Sequence, residues 1–166
     1  MNLAARPGAK WLWLTLLVII ADQLSKALIS ANWALYESVA IAPSLNIILA
    51  HNSGAAFSML SDAPGWQRIF LSAVATVVSA IIAVWMLRLK ADEKWLALAL
   101  ALILGGALGN LWDRVQLGYV VDFIDVYYNN WHWPAFNVAD SAICVGAAIL
   151  LYNALFNTQQ QNSDLA

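Results

Sequence analysis

The chain has 166 residues, 62% of them hydrophobic and 11% charged, with a formal net charge of −2 and a mean hydropathy of +0.68. A soluble domain of this size carries about 25% charged residues, so most of this surface is solvated by lipid. There is no basic patch for nucleic acid, and one cysteine, Cys144 in an apolar run, excludes an intrachain disulfide and reads as a small helix-packing residue.

The first apolar segment covers about 11–29. Arg6 and Lys10 precede it as they would a signal peptide, but the run continues as "ADQLSKALI" with no A-x-A cleavage site. It is expected to be a retained transmembrane helix. Near its end, Asp22 and Lys26 stand at i,i+4, on one helix face where they can pair. A loop of about 30–65 follows. Its "SVAIA" and "LNIIL" are β-rich and divided by Pro43, which predicts a small sheet on the outer membrane face.

Further spans are expected at about 66–89, 95–112 and 138–156, each long enough for the roughly 30 Å hydrocarbon core. Gly105, Gly106 and Gly109 in the third read as small residues that let helices approach. Asn110, Asp113 and Arg114 stand at its end, the last two also readable as interface anchors. A second loop, about 113–137, reads as a loop or short helix at the interface that could act as a lid. No linker or repeat divides the chain, so 1–166 is expected to be a single domain. Arg6, Lys10, Arg88, Lys90 and Lys94 would lie on one side, and Lys26, Arg68 and Arg114 on the other. That bias puts both termini in the cytoplasm and both long loops outside.

Nearly every ionisable residue away from the cytoplasmic flanks falls at one level, the outer ends of the spans. Such residues at membrane depth point to a site facing the bundle interior. Asp140 is the sharpest case. A carboxylate at the centre of a spanning helix costs roughly 2.5–3.5 kcal/mol, less near the interface, and Ser or Asn would cap the helix without that charge.

Several chemistries fit poorly. There is no H-E-x-x-H, and His51 and His132 stand in different loops, so no metal or other cofactor is expected. Ser53 lies near His51, but G-x-S-x-G is absent. A small proton-coupled transporter would place its acids near the midplane and show repeats. A pair of carboxylates sharing one proton fits better, one acting as base on a water and the other as acid toward a carbonyl. The partner of Asp140 would be Asp122 or Asp125, and Asp125 by itself reads as a solvated loop charge.

"DQLSK" at Asp22–Lys26, "HNSGAAFS" at His51–Ser58, "GGALGNLWDR" at Gly105–Arg114, "VVDF" at Val120–Phe123 and "FNVAD" at Phe136–Asp140 together resemble the bacterial lipoprotein signal peptidase (signal peptidase II) family. The resemblance implies an all-α membrane bundle of four transmembrane helices with a small extracytoplasmic β-rich cradle. It implies Asp122 and Asp140 as an aspartyl dyad in the bacterial inner membrane. Asn52, Gly54, Asn110, Arg114 and Asn137 would line the pocket, and Asp22, Lys26 and Asp113 would orient that lining. The implied partners are diacylglyceryl-modified prolipoproteins, cut N-terminal to the lipidated cysteine, together with membrane lipid and globomycin-type inhibitors.

Overall fold

The computed structural model describes residues 6–54 and 65–163, with side chains through Phe156. After a 3-10 turn at Pro7–Trp11 come α1 (Leu12–Asn32), β1 (Ser38–Ala42), β2 (Leu45–Asn52), α2 (Trp66–Met86), α3 (Lys94–Gln116), β3 (Val120–Tyr128), β4 (Trp131–His132) and α4 (Val138–Ser163). Among the described residues, four helical stretches are long and apolar enough to cross a membrane: Pro7–Asn32, Trp66–Met86, Lys94–Gln116 and Val138–Phe156. The fold is therefore the expected four-helix membrane bundle with a small antiparallel sheet.

The helices are not equivalent. Half of the apolar window of α3 is buried, against 17% for α2 and for α4, so α3 is the hub on which the others pack. Its sequence explains why. Ala97, Ala99, Ala101, Gly105, Gly106 and Gly109 are all buried, and small side chains let backbones approach where lipid gives no hydrophobic drive to associate. A Cβ on Gly106 would collide with the Ala139 carbonyl of α4, and one on Gly105 would lie 2.7 Å from Val18 Cβ of α1. On another face, Ile82, Met86 and Leu89 pack against Leu100 and Leu104. The outward faces carry exposed Leu24 and Leu28 of α1, Ile69 and Ile81 of α2, and Val145 and Leu151 of α4, as a lipid-facing surface should.

The sheet has strand order β1-β2-β3-β4, antiparallel throughout. It sits at the end of the bundle where α1 and α3 finish and α2 and α4 begin. Ile29 of α1 packs there with Leu49, Val121 and Phe123. "SVAIA" and "LNIIL" form β1 and β2 as expected, joined by a tight turn with Ser44 at φ 64°.

Three expectations need correction. The third span runs on to Gln116, so Asp113 and Arg114 lie inside α3 and not in a loop. The second span ends at Met86, three residues early. The segment read as a loop or short helix is strand β3 with the short β4. Its two aspartates hid the β-branched and aromatic run of "VVDFIDVYY", which pairs with β2 across Asn52↔Val120 to Leu45↔Val126. Residues 55–64, which hold the end of the "HNSGAAFS" motif, lie outside the described residues.

The chain leaving β4 is sewn back onto β3. Phe136 N donates to Ile124 O at 3.0 Å, and Phe136 O accepts from Phe123 N and Ile124 N at 2.9 and 2.8 Å. The first turn of α4 is thereby fixed against the middle of β3.

Gly106→Val should push α4 off α3 and lower stability by about 1–3 kcal/mol or more. Thermal unfolding in detergent should show this as a clear fall in melting temperature. Ala148→Val, at an exposed position, should leave the melt nearly unchanged.

Candidate active site

A strand alternates its side chains between two faces. On β3 this separates the two aspartates that the sequence left as candidates. Asp125 shares a face with Val121 and Phe123, which pack toward Ile29, and Asp122 points the other way. Asp125 is not a solvated loop charge. It is 6% exposed and held by Asn46 Nδ2 of β2 at 2.8 Å and His132 Nδ1 of β4 at 2.8 Å. Partners from both flanking strands account for its burial.

Asp122 is 2% exposed. Asn52 Nδ2 donates to its Oδ2 at 3.0 Å, and Asn137 Nδ2 donates to its Oδ1 at 2.7 Å. Asp140 stands in the first turn of α4 and forms a reciprocal cap with Asn137. The Asp140 amide donates to Asn137 Oδ1 at 2.9 Å, and the Asn137 amide donates to Asp140 Oδ2 at 3.3 Å. Asn137 thus supplies the uncharged cap, and Asp140 completes a capping box at a helix N-terminus, where the macrodipole favours a carboxylate. Asn110 Nδ2 of α3 donates to Asp140 Oδ1 at 2.7 Å. One fully buried side chain, Asn137, therefore touches both aspartates.

Beneath them lies a buried ionic cluster. Lys26 Nζ is 2.8 Å from Asp22 Oδ2, 2.8 Å from Asp113 Oδ2, and donates to Asn110 Oδ1 at 3.0 Å. The Asp22–Lys26 pair is thus more than a helix-end ion pair. Asp22 Oδ1 accepts from the Ala139 amide at 2.9 Å, satisfying a free N–H of the first turn of α4. Asp113 Oδ2 accepts from the Val121 amide at 3.1 Å, next to Asp122. Carboxylates of α1 and α3 so grip the backbones that carry the two aspartates. Arg114 Nη2 reaches Gly54 O at 3.3 Å, and the Gly54 amide donates to Asn52 Oδ1 at 3.0 Å, leaving the Asn52 amide nitrogen to face Asp122.

Every site residue expected from the sequence lies in this network. Two contributors were missed. Gln23 Nε2 donates to Asp113 Oδ1 at 2.8 Å, and its place inside "DQLSK" was the available signal. Arg68 of α2 donates to Arg114 O at 2.7 Å and Val115 O at 2.9 Å, capping the end of α3; a lone cation opening a span was its signal. The Ser–His pairing finds no support in the placement of its members. His51 stacks on Tyr119 with ring centroids 3.9 Å apart, and Ser53 is exposed.

Burial, and then the neighbouring Asp140 charge, push the Asp122 carboxyl from 3.8 up to about 7, against the opposing pull of Asn52, Asn137 and Lys26. Two carboxyls that feel each other in a partly dry site do not readily ionise together and can share one proton. Such a pair offers a base and an acid at once.

The family model described as "Signal peptidase (SPase) II" matches residues 14–156. The chain is 52% identical to a lipoprotein signal peptidase of Pseudoalteromonas translucida (strain TAC 125), over 92% of each chain. It is 58% identical to one from Pseudomonas aeruginosa (strain UCBPP-PA14), over 84% of each. A solved structure titled as a bacterial membrane enzyme superposes with a TM-score of 0.80 at 29% identity, covering 91% of this chain and 90% of that one.

The raised proton affinity of Asp122 has a stability consequence. Its folded value exceeds its unfolded one, so its contribution is complete below about 3.8 and is lost as pH rises through about 7. Melting temperature should fall as pH is raised from about 5 to about 8. Asp122→Asn should flatten that segment of a pH series of thermal melts.

Proposed function

The chain belongs to the signal peptidase II family, and from that premise we propose that it is an intramembrane aspartyl endopeptidase acting on diacylglyceryl-modified prolipoproteins. Asp122 and Asp140 form the dyad, within a single domain covering the whole chain. One carboxylate takes a proton from water, which attacks the scissile carbonyl on the N-terminal side of the lipidated cysteine. The other, protonated, donates to the carbonyl oxygen and stabilises the oxyanion. Collapse of the tetrahedral intermediate returns the proton to the leaving amine and frees the signal peptide.

The observation that carries this reading is the convergence of Asp122 and Asp140 on the shared partner Asn137 at a helix N-terminus. Its place at the bundle end bearing the sheet suits a substrate whose signal helix lies in the bilayer and whose lipidated cysteine is held at the leaflet surface. Asn52, Gly54, Asn110, Arg114 and Asn137 line the pocket, and Asp22, Lys26 and Asp113 orient them. The balance of Lys and Arg supports an inner-membrane protein with cytoplasmic termini and an outward-facing site. Membrane lipid surrounds it, and globomycin-type cyclic peptides occupy the same pocket.

Purified Asp122→Asn and Asp140→Asn proteins should each lose about 10³-fold or more in cleavage of diacylated precursor, as loss of an acid or base implies. Asp125→Asn should melt lower yet keep most of its turnover. A dead Asp125 variant beside an active Asp122 variant would mean that Asp140 has been paired with the wrong carboxylate.

Unlipidated precursor should be cut much more slowly at equal membrane loading, and equal rates would remove the diacyl specificity. Reporter fusions after Lys90 and at the C-terminus should read as cytoplasmic, and one at Asn130 as external. The inverted pattern would put the site on the wrong side.

A further inference from the structure

Resting on the aspartyl reading above, we infer that Lys26 is a positioning residue that acts through Asn110 to make Asp140 the ionised member of the pair, leaving the shared proton on Asp122. The geometry is directional. A lysine ammonium has three donors and no acceptor. Lys26 is 3% exposed, and its three donors meet Asp22 Oδ2, Asp113 Oδ2 and Asn110 Oδ1 at 2.8, 2.8 and 3.0 Å. The Asn110 oxygen also lies 3.2 Å from Asn137 Nδ2. With donors on both approaches, that oxygen cannot exchange places with its own nitrogen. A flipped amide would set N–H against ammonium. Asn110 Nδ2 is thereby locked onto Asp140 Oδ1 at 2.7 Å as a donor only.

Asp140 also receives the Asn137 amide and sits in the first turn of α4, so its oxygens face a polarised amide, a backbone N–H and a helix N-terminus. Each favours a carboxylate over a carboxylic acid. Asp122 is placed differently. It lies on a strand with no macrodipole, and its two donors are amides of Asn52 and Asn137 with no ammonium behind them in direct contact. The charged groups facing Asp140 are Asp22 and Lys26 from α1, Asp113 and Arg114 from α3, and Asp122 from β3. Asp22 and Asp113 are both bonded to Lys26, and Lys26 reaches Asp140 through a single side-chain amide, that of Asn110.

Infrared difference spectroscopy of the carboxylic acid C=O stretch separates the two aspartates. At mildly acidic pH, Asp140→Asn should retain a protonated-carboxyl band from Asp122, and Asp122→Asn should lack one because Asp140 is ionised. Introducing Asn110→Leu into the Asp122→Asn protein cuts the relay while leaving the Lys26 pairs with Asp22 and Asp113 in place. The band should then appear, now from Asp140. Lys26→Met with Asp113→Asn, which removes one cation and one anion together, should do the same in that background and serves if the leucine variant does not fold; loss of the band on adding Asp140→Asn assigns it to Asp140 and not to Asp22, which has lost its cation.

A band in Asp122→Asn but not in Asp140→Asn overturns the assignment. An absent band after both relay cuts overturns the role of Lys26, since a merely structural residue would not move this signal. If instead both single Asn variants still cleave precursor, the aspartyl reading itself fails.

Discussion

A carboxylate in lipid must find its counter-charge and its hydrogen bonds inside the protein, and here four of them, Asp22, Asp113, Asp122 and Asp140, gather at one level. No single helix can satisfy them. The network that does joins α1 through Asp22, Gln23 and Lys26, α3 through Asn110 and Asp113, β2 through Asn52, β3 through the Val121 amide, and α4 through Asn137 and the Ala139 amide. Removing one partner from such a buried group is expensive, of the order of 3–5 kcal/mol, because the remaining charge is left bare. The same constraint that makes the cluster costly therefore makes it rigid. A rigid polar layer under two carboxylates is what a preorganised site needs.

The rest of the fold serves this contact. The small residues of α3 bring α1 and α4 close enough for side chains as short as Asp and Asn to reach across. Gly109 shows the margin: a Cβ there would stand 2.7 Å from Asp22 Oδ2. The sheet supplies Asp122 from outside the bundle, and the backbone bonds between Phe136 and β3 fix its height relative to Asp140. α2 packs chiefly on α3 and is tied to the bundle's site end by Arg68, leaving the polar layer to the other elements.

Much of this was legible in the residues. Four spans follow from apolar length, and β1 and β2 from β-branched runs split by a proline. Asp22, Lys26, Asn110, Asp113 and Asp140 stood out because charge at membrane depth needs a reason. What escaped was long-range pairing. The aspartates of β3 masked its alternation, so a strand read as a loop, and Asp125 read as solvated although its partners Asn46 and His132 lie 79 and 7 residues away. Period alone puts Asp122 and Asp125 on opposite faces once the strand is recognised, and that step needed the register with β2. The capping box of Asn137 and Asp140 was readable as local spacing, yet its link to Asp122 depends on how β3 folds back.

In the proposed mechanism Asp122 and Asp140 act together on one carbonyl. The most direct measurement is a structure at atomic detail with a globomycin-type cyclic peptide or a peptide analogue bearing a hydroxyl at the scissile position. A shared dyad places that hydroxyl within hydrogen-bonding reach of a carboxylate oxygen of Asp122 and of Asp140 simultaneously. A hydroxyl held by one aspartate alone, or seated beside Ser53 and His51 with both aspartates remote, would contradict it.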